Sequence, residues 1–247
     1  MEKDAIELTY FLKGKLKVFQ PKKGYRFSID ALLLGYFLKL KPKEKILEVC
    51  AGSGIISLIA LYRFPRCKIF SLEIEDLLTK IIFLNAEENF KGKLLPIRGD
   101  ILKPPFKENF WDVIFCNPPY FKIGSGRENI DTMENLARRK NPDFFTDFIK
   151  IIKRLLKNRG RLYLIFSAHR FSELIFLLKK EGLEPKRLRL VHSYPEGPAK
   201  FALVEAIKQG GEETIILPPL YIYTKPSGEY TEELKSWLNG EEKVLHY

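Results

Sequence analysis

Four consecutive residues, Asn117-Pro118-Pro119-Tyr120, carry the most specific chemical signal in the sequence. The two prolines stiffen the backbone and remove two N–H donors, which leaves carbonyl oxygens as the free main-chain polar groups. The Asn117 side-chain oxygen and the Pro118 carbonyl can together accept both hydrogens of a planar –NH2 group. The Tyr120 ring offers a face on which a base or an amide can stack. A rigid turn that ends a strand is the structural alternative.

An aromatic or amide –NH2 group needs such acceptors because its delocalised lone pair makes it a poor nucleophile. Two acceptors on its hydrogens localise the lone pair and aim it at an electrophilic methyl group. No general base has to act before the attack, because the nitrogen becomes acidic only after it has been methylated. The motif therefore predicts methyl transfer to a planar nitrogen, with Asn117, Pro118, Pro119 and Tyr120 as the catalytic residues.

Three further signals stand at the ends of predicted strands. The stretch 48–54 (EVCAGSG) joins a strand to a helix, and its small residues let the backbone approach a ligand closely. Glu73, about twenty residues further on, can accept the ribose hydroxyl hydrogens of an adenosine. Asp100 can accept a hydrogen bond from an adenine amino group. The structural alternatives are a tight turn for the glycine-containing stretch, a helix N-terminal acid for Glu73, and an N-cap or turn aspartate for Asp100.

Strand and helix patterns alternate through the middle of the chain and must position these residues. We predict strands at 45–50, 67–74, 93–99, 110–117 and 160–167, and helices at 28–40 (with Ser28 as N-cap), 55–64, 76–89, 144–156 and 170–181. Repeated β-α-β units predict an α/β fold with a parallel sheet and helices on both faces. The runs at 187–193 and 199–208 leave no room for a crossover helix, so we expect an antiparallel hairpin there.

We expect one domain over residues 1–247, since the sequence has no linker rich in Gly, Pro or Ser and no repeats. Residues 1–44 would form an extension with a hairpin at 11–19, turning at Gly14, and a helix. Residues 45–210 would form the cofactor-binding core. Residues 211–247 would add a short strand and a helix at 231–238. The polar segment 121–141 is predicted to be a long loop of the kind that is usually functional.

The composition excludes several classes of protein. Apolar residues make up 45% of the 247 residues, yet no run is long enough to span a bilayer and no signal peptide is evident. Three cysteines without a C-x-x-C pair and three scattered histidines argue against a disulfide framework and against a metal site, and they favour a cytoplasmic location.

The net charge of +11 is unevenly distributed. Residues 1–45 and 122–161 each carry an excess of six positive charges, whereas residues 46–121 are neutral. A basic rim around a neutral pocket favours a polyanionic substrate such as a nucleic acid. Solubility or adaptation to high temperature is the alternative explanation.

The order of the glycine-containing stretch, Glu73, Asp100 and the Asn117 motif resembles the class I S-adenosylmethionine-dependent methyltransferases of amino groups. The segments 24–34 (GYRFSIDALLL) and 117–127 (NPPYFKIGSGR) resemble a narrower group, the bacterial tRNA adenine-N6 methyltransferases that act on the anticodon-loop adenine of a valine tRNA. The resemblance covers most of the chain.

The resemblance implies a Rossmann-like class I methyltransferase fold: a mostly parallel seven-stranded sheet with a C-terminal antiparallel hairpin and helices on both faces. It implies that Gly52 and Gly54 face the cofactor, that Glu73 holds its ribose and Asp100 its adenine, and that residues 117–120 hold the target base. The full set of cofactor-binding candidates is Phe27, Glu48, Ala51, Gly52, Gly54, Glu73, Ile74, Asp100, Ile101 and Asn117.

The chain departs from that group at three places. Glu48 stands where the group usually has Asp, and Cys50 stands where it has Gly, which adds bulk beside the methionine end of the cofactor. Within Arg138-Arg139-Lys140, only Arg138 matches the Arg-His-Glu of the group, so this chain is more basic there.

We therefore expect methylation of the N6 nitrogen of an adenine in RNA, in a tRNA anticodon loop, with S-adenosylmethionine as cofactor, tRNA as partner, and no metal or membrane. A glutamine-N5 methyltransferase of release factors, a DNA adenine or ribosomal RNA guanine enzyme, and a cofactor-binding module without catalysis are the alternatives. A nicotinamide-dependent oxidoreductase is disfavoured because no full G-x-G-x-x-G follows the first strand.

Overall fold

The computed structural model describes residues 6–23, 29–118 and 144–241. The strands are β1 (Ile6–Phe11), β2 (Leu16–Pro21), β3 (Ile46–Val49), β4 (Ile69–Glu73), β5 (Leu94–Arg98), β6 (Trp111–Cys116), β7 (Leu156–Ser167), β8 (Leu183–His192), β9 (Ala199–Lys208), β10 (Ile215–Ile216) and β11 (Leu220–Tyr221). The α-helices are α1 (Ile29–Phe37), α2 (Ile55–Arg63), α3 (Asp76–Asn89), α4 (Phe144–Leu155), α5 (Phe171–Lys180) and α6 (Glu232–Leu238). The predicted Ser28 cap and the predicted loop at 121–141 lie outside these residues.

The main sheet has the strand order β10-β8-β9-β7-β6-β3-β4-β5, and β11 also pairs with β8. Strand β9 runs antiparallel to both β7 and β8, and the other described pairs in this sheet are parallel. The predicted α/β fold and antiparallel hairpin are confirmed. The seven longer strands match the expected sheet, but the count of seven was too low, because β10 and β11 extend the sheet beyond β8.

The segment after residue 211 was predicted to hold one short strand and instead forms two strands of two residues each. Pro218 and Pro219 separate β10 from β11. Proline has no N–H to donate, so a continuous ladder along β8 is interrupted at this point. The helix predicted at 231–238 is confirmed as α6, and the Thr231 side chain caps it by accepting a hydrogen bond from the Leu234 N–H.

Strand β8 begins at Leu183, four residues before its predicted start at 187. Pro185 therefore lies inside the strand, although proline has no N–H to donate to a ladder. The pairing register between β8 and β9 shifts between Pro185 and Arg187, and a bulge of this kind is one of the few places where a strand tolerates proline.

The sheet separates two apolar cores, and successive residues of its strands alternate between them. Ile46 and Val113 pack in one core with α1, α2, α3 and α6. Leu47 and Ile114 pack in the other core with α4 and α5. This period of two lets both faces of a short central strand be buried. The described helices include none that is long and apolar enough to cross a membrane.

The β1–β2 hairpin turns through Gly14 at a φ of 83°, as predicted, and packs on α3. Its outer edge is paired by two asparagine amides. Asn85 accepts from the Phe19 N–H at 2.7 Å and donates to the Phe19 carbonyl at 3.0 Å, and Asn89 makes the same two bonds with Lys17 at 3.0 and 2.8 Å. Two asparagines four residues apart on one face of α3 therefore pair with two residues that lie two apart on β2. Their amides supply the hydrogen bonds that the backbone at this edge of the hairpin would otherwise lack.

Candidate active site

The carboxyl ends of β6, β3, β4 and β5 lie along one edge of the sheet, because these strands are adjacent and parallel. Backbone hydrogen bonds join neighbouring strand ends: the Ala51 N–H donates to the Leu72 carbonyl, and the Gly99 N–H donates to the Glu73 carbonyl at 2.9 Å. The structure thus brings together the four segments that the sequence singled out. Their position agrees with ligand binding beyond the carboxyl ends of parallel strands.

Glu73 ties two of these loops together through its buried carboxylate. One oxygen accepts from the Gly52 N–H at 2.7 Å, and the other accepts from the Ile74 and Glu75 N–H groups at 2.8 and 3.0 Å. Burial is the largest influence and raises the pKa of the carboxyl above its usual value, while the three N–H donors oppose this rise. A carboxylate has about four acceptor positions, so Glu73 retains capacity for a further donor such as a ribose hydroxyl.

The loop after β3 has left-handed backbone at alternate positions: φ is 55° at Cys50, 58° at Gly52 and 76° at Gly54. Glycine adopts this conformation without steric cost, which accounts for a glycine at position 50 in the group that the chain resembles. Cys50 adopts it at a cost in strain. At Gly54, a Cβ atom would stand 3.2 Å from Cγ1 of Ile82, so this glycine also permits close packing of the loop against α3.

Glu48 lies beneath this loop and is completely buried. Its Oε2 atom accepts from the hydroxyls of Ser57 and Ser71, whereas its Oε1 atom has no hydrogen-bond partner among the residues that the structure describes. Burial raises the pKa of the Glu48 carboxyl to about 8, despite the two serine donors. The carboxyl is therefore mostly protonated at neutral pH, and its role in cofactor binding stays a prediction.

The remaining cofactor candidates differ in their exposure. Ile74 follows Glu73 with 53% of its surface exposed, and Ala51 and Ile101 are buried. Asp100 is partly exposed, and its Oδ1 atom accepts from the Leu102 N–H at 2.8 Å, which forms the turn predicted as its structural alternative. An exposed apolar side chain beside Glu73 suits contact with an adenine ring.

Cys116 precedes Asn117 and is completely buried at the end of β6. Burial is the first cause that raises the pKa of its thiol well above the usual value, and the neighbouring Cys50 thiol adds to the rise. A thiol that resists ionisation is a poor nucleophile. Cys116 is therefore part of the core, as its position in a strand indicated.

Asn117 is held by a residue that sequence analysis missed. The Asn117 side-chain amide donates to Oδ2 of Asp30 at 2.9 Å, while its own Oδ1 is buried and has no hydrogen-bond partner within residues 6–23, 29–118 and 144–241. Pro118 is buried beside it. Asp30 lies in the first turn of α1, where an acid is usually explained by the helix dipole. The feature of the sequence that could have identified Asp30 is its position as the one acidic residue on an otherwise apolar helix.

Three predicted site residues, Phe27, Pro119 and Tyr120, lie outside the described residues, as do Arg138, Arg139 and Lys140. Within residues 6–23, 29–118 and 144–241, no group of three or more His, Cys, Asp or Glu side chains could hold a metal ion.

The residues present fit S-adenosylmethionine at this edge of the sheet. The backbone of the left-handed loop permits close approach, Glu73 has acceptor capacity, and Ile74 provides an exposed apolar surface. An acidic acceptor at the end of the strand next to a glycine-containing loop is the arrangement by which such sheets hold an adenosine.

Comparison with known proteins agrees with this geometry. The Eco57I restriction-modification methylase family matches residues 56–177. A tRNA1(Val) (adenine(37)-N6)-methyltransferase from Shewanella sediminis is 28% identical over 239 residues, covering 88% of this chain and 92% of the relative.

Two solved structures share the fold. A predicted O-methyltransferase from Agrobacterium tumefaciens has a TM-score of 0.67 at 19% identity and covers 85% of this chain and 95% of its own. A SAM-dependent methyltransferase from Aquifex aeolicus has a TM-score of 0.52 at 16% identity and covers 72% of this chain and 89% of its own. This chain therefore has the class I S-adenosylmethionine-dependent methyltransferase fold and is similar in sequence to the tRNA1(Val) adenine-N6 methyltransferases.

Proposed function

We propose that this protein is an S-adenosylmethionine-dependent methyltransferase that modifies the exocyclic N6 of an adenine in RNA, in a tRNA anticodon loop. One observation carries the proposal: at the end of β6, the Asn117 Oδ1 atom is a buried acceptor that has no hydrogen-bond partner among the described residues. A buried acceptor is costly to leave unpaired, and a substrate –NH2 group would satisfy it.

The Asn117 oxygen and the Pro118 carbonyl would accept the two hydrogens of the target –NH2 group. These bonds would hold the nitrogen so that its lone pair faces the methyl group, which S-adenosylmethionine supplies when bound. Once the nitrogen has taken the methyl group from the sulfur, which would leave S-adenosylhomocysteine, the nitrogen would release one proton to solvent and become neutral again. The protein contributes orientation and electrostatic stabilisation, and no protein group has to remove a proton beforehand.

For the cofactor, we propose that Gly52 and Gly54 allow the methionine end to lie close to the backbone and that Glu73 accepts a ribose hydroxyl. Ile74 and Ile101 would border the adenine, and Asp100 would accept from its amino group. Glu48 would support this loop from below, and Ala51, which belongs to the loop, would lie beside the cofactor. We propose that Phe27 completes this site and that Pro119 and Tyr120 complete the substrate site.

An RNA substrate is supported by the similarity to enzymes named for tRNA and by the two basic segments that flank the neutral centre. In a loop, the target base can leave its stack at low cost and reach a pocket at the edge of the sheet. The three free cysteines fit a reducing compartment, and we propose that the enzyme acts in the cytoplasm.

We also propose that residues 1–247 form one domain, with 1–44 as an extension on the core 45–210 and 211–247 as a C-terminal addition. The contacts of the extension support this proposal. Asn85 binds the β2 backbone, and the Arg63 guanidinium donates to the Gly35 carbonyl of α1 at 2.7 Å.

Incubation with labelled S-adenosylmethionine and a panel of acceptors tests the function. The panel contains unmodified tRNA, ribosomal RNA, duplex DNA and a release factor. We expect N6-methyladenosine in tRNA alone, at one position in the anticodon loop. Label in the release factor would identify a glutamine methyltransferase, and the absence of N6-methyladenosine from every RNA would refute the proposal.

A further inference from the structure

Asp30 and Asn117 come from distant parts of the sequence and meet at the edge of the sheet. Asp30 is only 6% exposed, and its Oδ2 atom lies 2.9 Å from the Asn117 side-chain nitrogen. The contact joins α1 to the end of β6, so the position of one helix determines how the Asn117 side chain is held.

The chemistry of the two groups decides which way the Asn117 amide faces. An ionised carboxylate only accepts hydrogen bonds, whereas an asparagine amide donates through one end and accepts through the other. The two ends have nearly the same shape, so an amide with no distinguishing neighbour can adopt either orientation. Next to Asp30, the –NH2 end must face the carboxylate, and Oδ1 must then face away from it.

We propose that Asp30 is a positioning residue that holds the acceptor end of Asn117 towards the substrate and thereby selects an amino group over a carbonyl group. This inference rests on the proposed function and deepens it. An adenine presents an N6 amino donor to Oδ1. A hypoxanthine presents O6 instead, so two acceptors would face each other without a shared proton, in a buried position where an unsatisfied acceptor is costly.

The first test compares the wild type with Asp30→Ala, Asp30→Asn and an exposed control, Glu87→Ala, whose carboxylate pairs only with Lys91 among the described salt bridges. For Asp30→Ala we expect kcat to fall on the order of 100-fold, because the acceptor is no longer held in the reactive geometry. The affinity for S-adenosylmethionine should stay close to that of the control, and turnover is compared at a temperature at which thermal unfolding shows every variant to be folded.

Asp30→Asn should be milder. Its side chain can pair with Asn117 in two orientations, and only one of them presents Oδ1 to the substrate. If both are equally populated, kcat falls about twofold. Similar losses in Asp30→Ala and Asp30→Asn would contradict the proposed role, because the asparagine keeps an acceptor that can still hold the Asn117 amide in the reactive orientation.

The preference of the enzyme for adenosine over inosine provides a second test, because a purely structural role of Asp30 would not affect this preference. Binding of tRNA with adenosine or inosine at the target position is compared for each variant in the presence of S-adenosylhomocysteine. We expect the wild type and Glu87→Ala to prefer adenosine, and Asp30→Ala to lose that preference. An unchanged ratio of the two dissociation constants in Asp30→Ala would overturn the inference.

The contact between the Asn117 side-chain amide and Asp30 can also be observed by NMR without any substrate. In protein labelled with 15N-asparagine, the Asn117 side-chain resonances are those that disappear in Asn117→Ala. We expect them to shift in Asp30→Ala and to stay in place in Glu87→Ala, and unchanged resonances in Asp30→Ala would contradict the contact.

If the wild type methylates a glutamine amide and no RNA, the proposed function fails. The role of Asp30 is then judged by these resonances and by whether the protein binds glutamine substrates in preference to glutamate substrates.

Discussion

The two halves of the candidate active site satisfy their polar groups in different ways. In the cofactor half, formed by residues 50–54, Glu73 and Asp100, three backbone N–H groups already engage the Glu73 carboxylate. In the proposed substrate half, formed by Asp30, Asn117 and Pro118, the Asn117 Oδ1 atom has no partner in the part of the chain that the structure describes. The cofactor half is thus organised by its own backbone. The substrate half depends on the orientation of one side chain and, in the proposed function, would be completed by a substrate.

The largest effect is expected from Asn117→Ala, which removes the unpaired acceptor. We expect kcat to fall by about 100- to 1000-fold, the loss typical of removing one preorganised hydrogen-bonding group. S-adenosylmethionine affinity, measured by calorimetry, should be nearly unchanged because the cofactor half is intact. Parallel losses of turnover and cofactor affinity would show that the two halves are not separate.

Glu73→Gln is expected to affect the other half. Loss of a charged acceptor should weaken S-adenosylmethionine binding by about 10- to 100-fold, corresponding to the roughly 1.5–3 kcal/mol of a charge-assisted hydrogen bond. Glu75→Gln, two residues further along the chain, is the matched control and should bind S-adenosylmethionine with normal affinity. If Glu73→Gln retains full affinity in a calorimetric titration, Glu73 serves only to join the loops.

The buried carboxyl of Glu48 should make stability depend on pH. Its folded-state pKa of about 8 lies above its usual value of 4.5, so the folded protein keeps a proton that the unfolded chain releases. The free energy of unfolding should therefore fall as pH rises through this window, by up to ~1.4 kcal/mol per pH unit, and level off above it.

Chemical denaturation at several pH values measures this dependence. Glu48→Gln cannot titrate and should show a flatter profile than the wild type, whereas the exposed Glu88→Gln should follow the wild type. Equal slopes for Glu48→Gln and the wild type would assign the pH dependence to other groups.

The smallest effect is expected at Cys50. Cys50→Gly should relieve left-handed strain and raise the free energy of unfolding by about 1 kcal/mol, after the entropy cost of glycine is subtracted from the strain. Cys50→Ala removes the thiol but keeps the Cβ atom, so it should not share the gain. A thermal melt that ranks the two variants equally would show that the backbone at residue 50 is not strained.

The sequence predicted the cofactor half better than the substrate half, for physical reasons. A glycine-containing turn and an acid at the next strand end are local patterns, so Gly52 and Glu73 could be identified from spacing. The hydrogen bond between them depends on the direction of one backbone N–H, which spacing does not determine. Asp30 was missed because its partner lies 87 positions away, and an acid in a first helical turn has a sufficient local explanation.

The fold followed from hydrophobic periodicity, and the predicted strands differ from the observed ones mainly in their bounds. Strand β7 begins at Leu156, four residues before its predicted start, and two further differences involve proline. Pro185 lies within β8 because a bulge accommodates it, so the strand starts earlier than predicted. Pro218 and Pro219 divide a predicted single strand into β10 and β11. The tolerance of a strand for proline depends on its neighbours in the sheet, which a single sequence does not show.

The asparagine pairing between α3 and the hairpin has a consequence for local unfolding. Asn85 also donates to the Ser53 carbonyl at 2.8 Å, so one amide fastens β2 and the glycine loop to the same turn of helix. Opening of the hairpin removes the two hydrogen bonds between Asn85 and Phe19, and it thereby loosens the side chain that also holds the loop at Ser53. In hydrogen–deuterium exchange, the amides of β2 and of residues 52–54 should therefore exchange in one cooperative opening with similar protection, and cofactor binding at the loop should slow exchange in the hairpin.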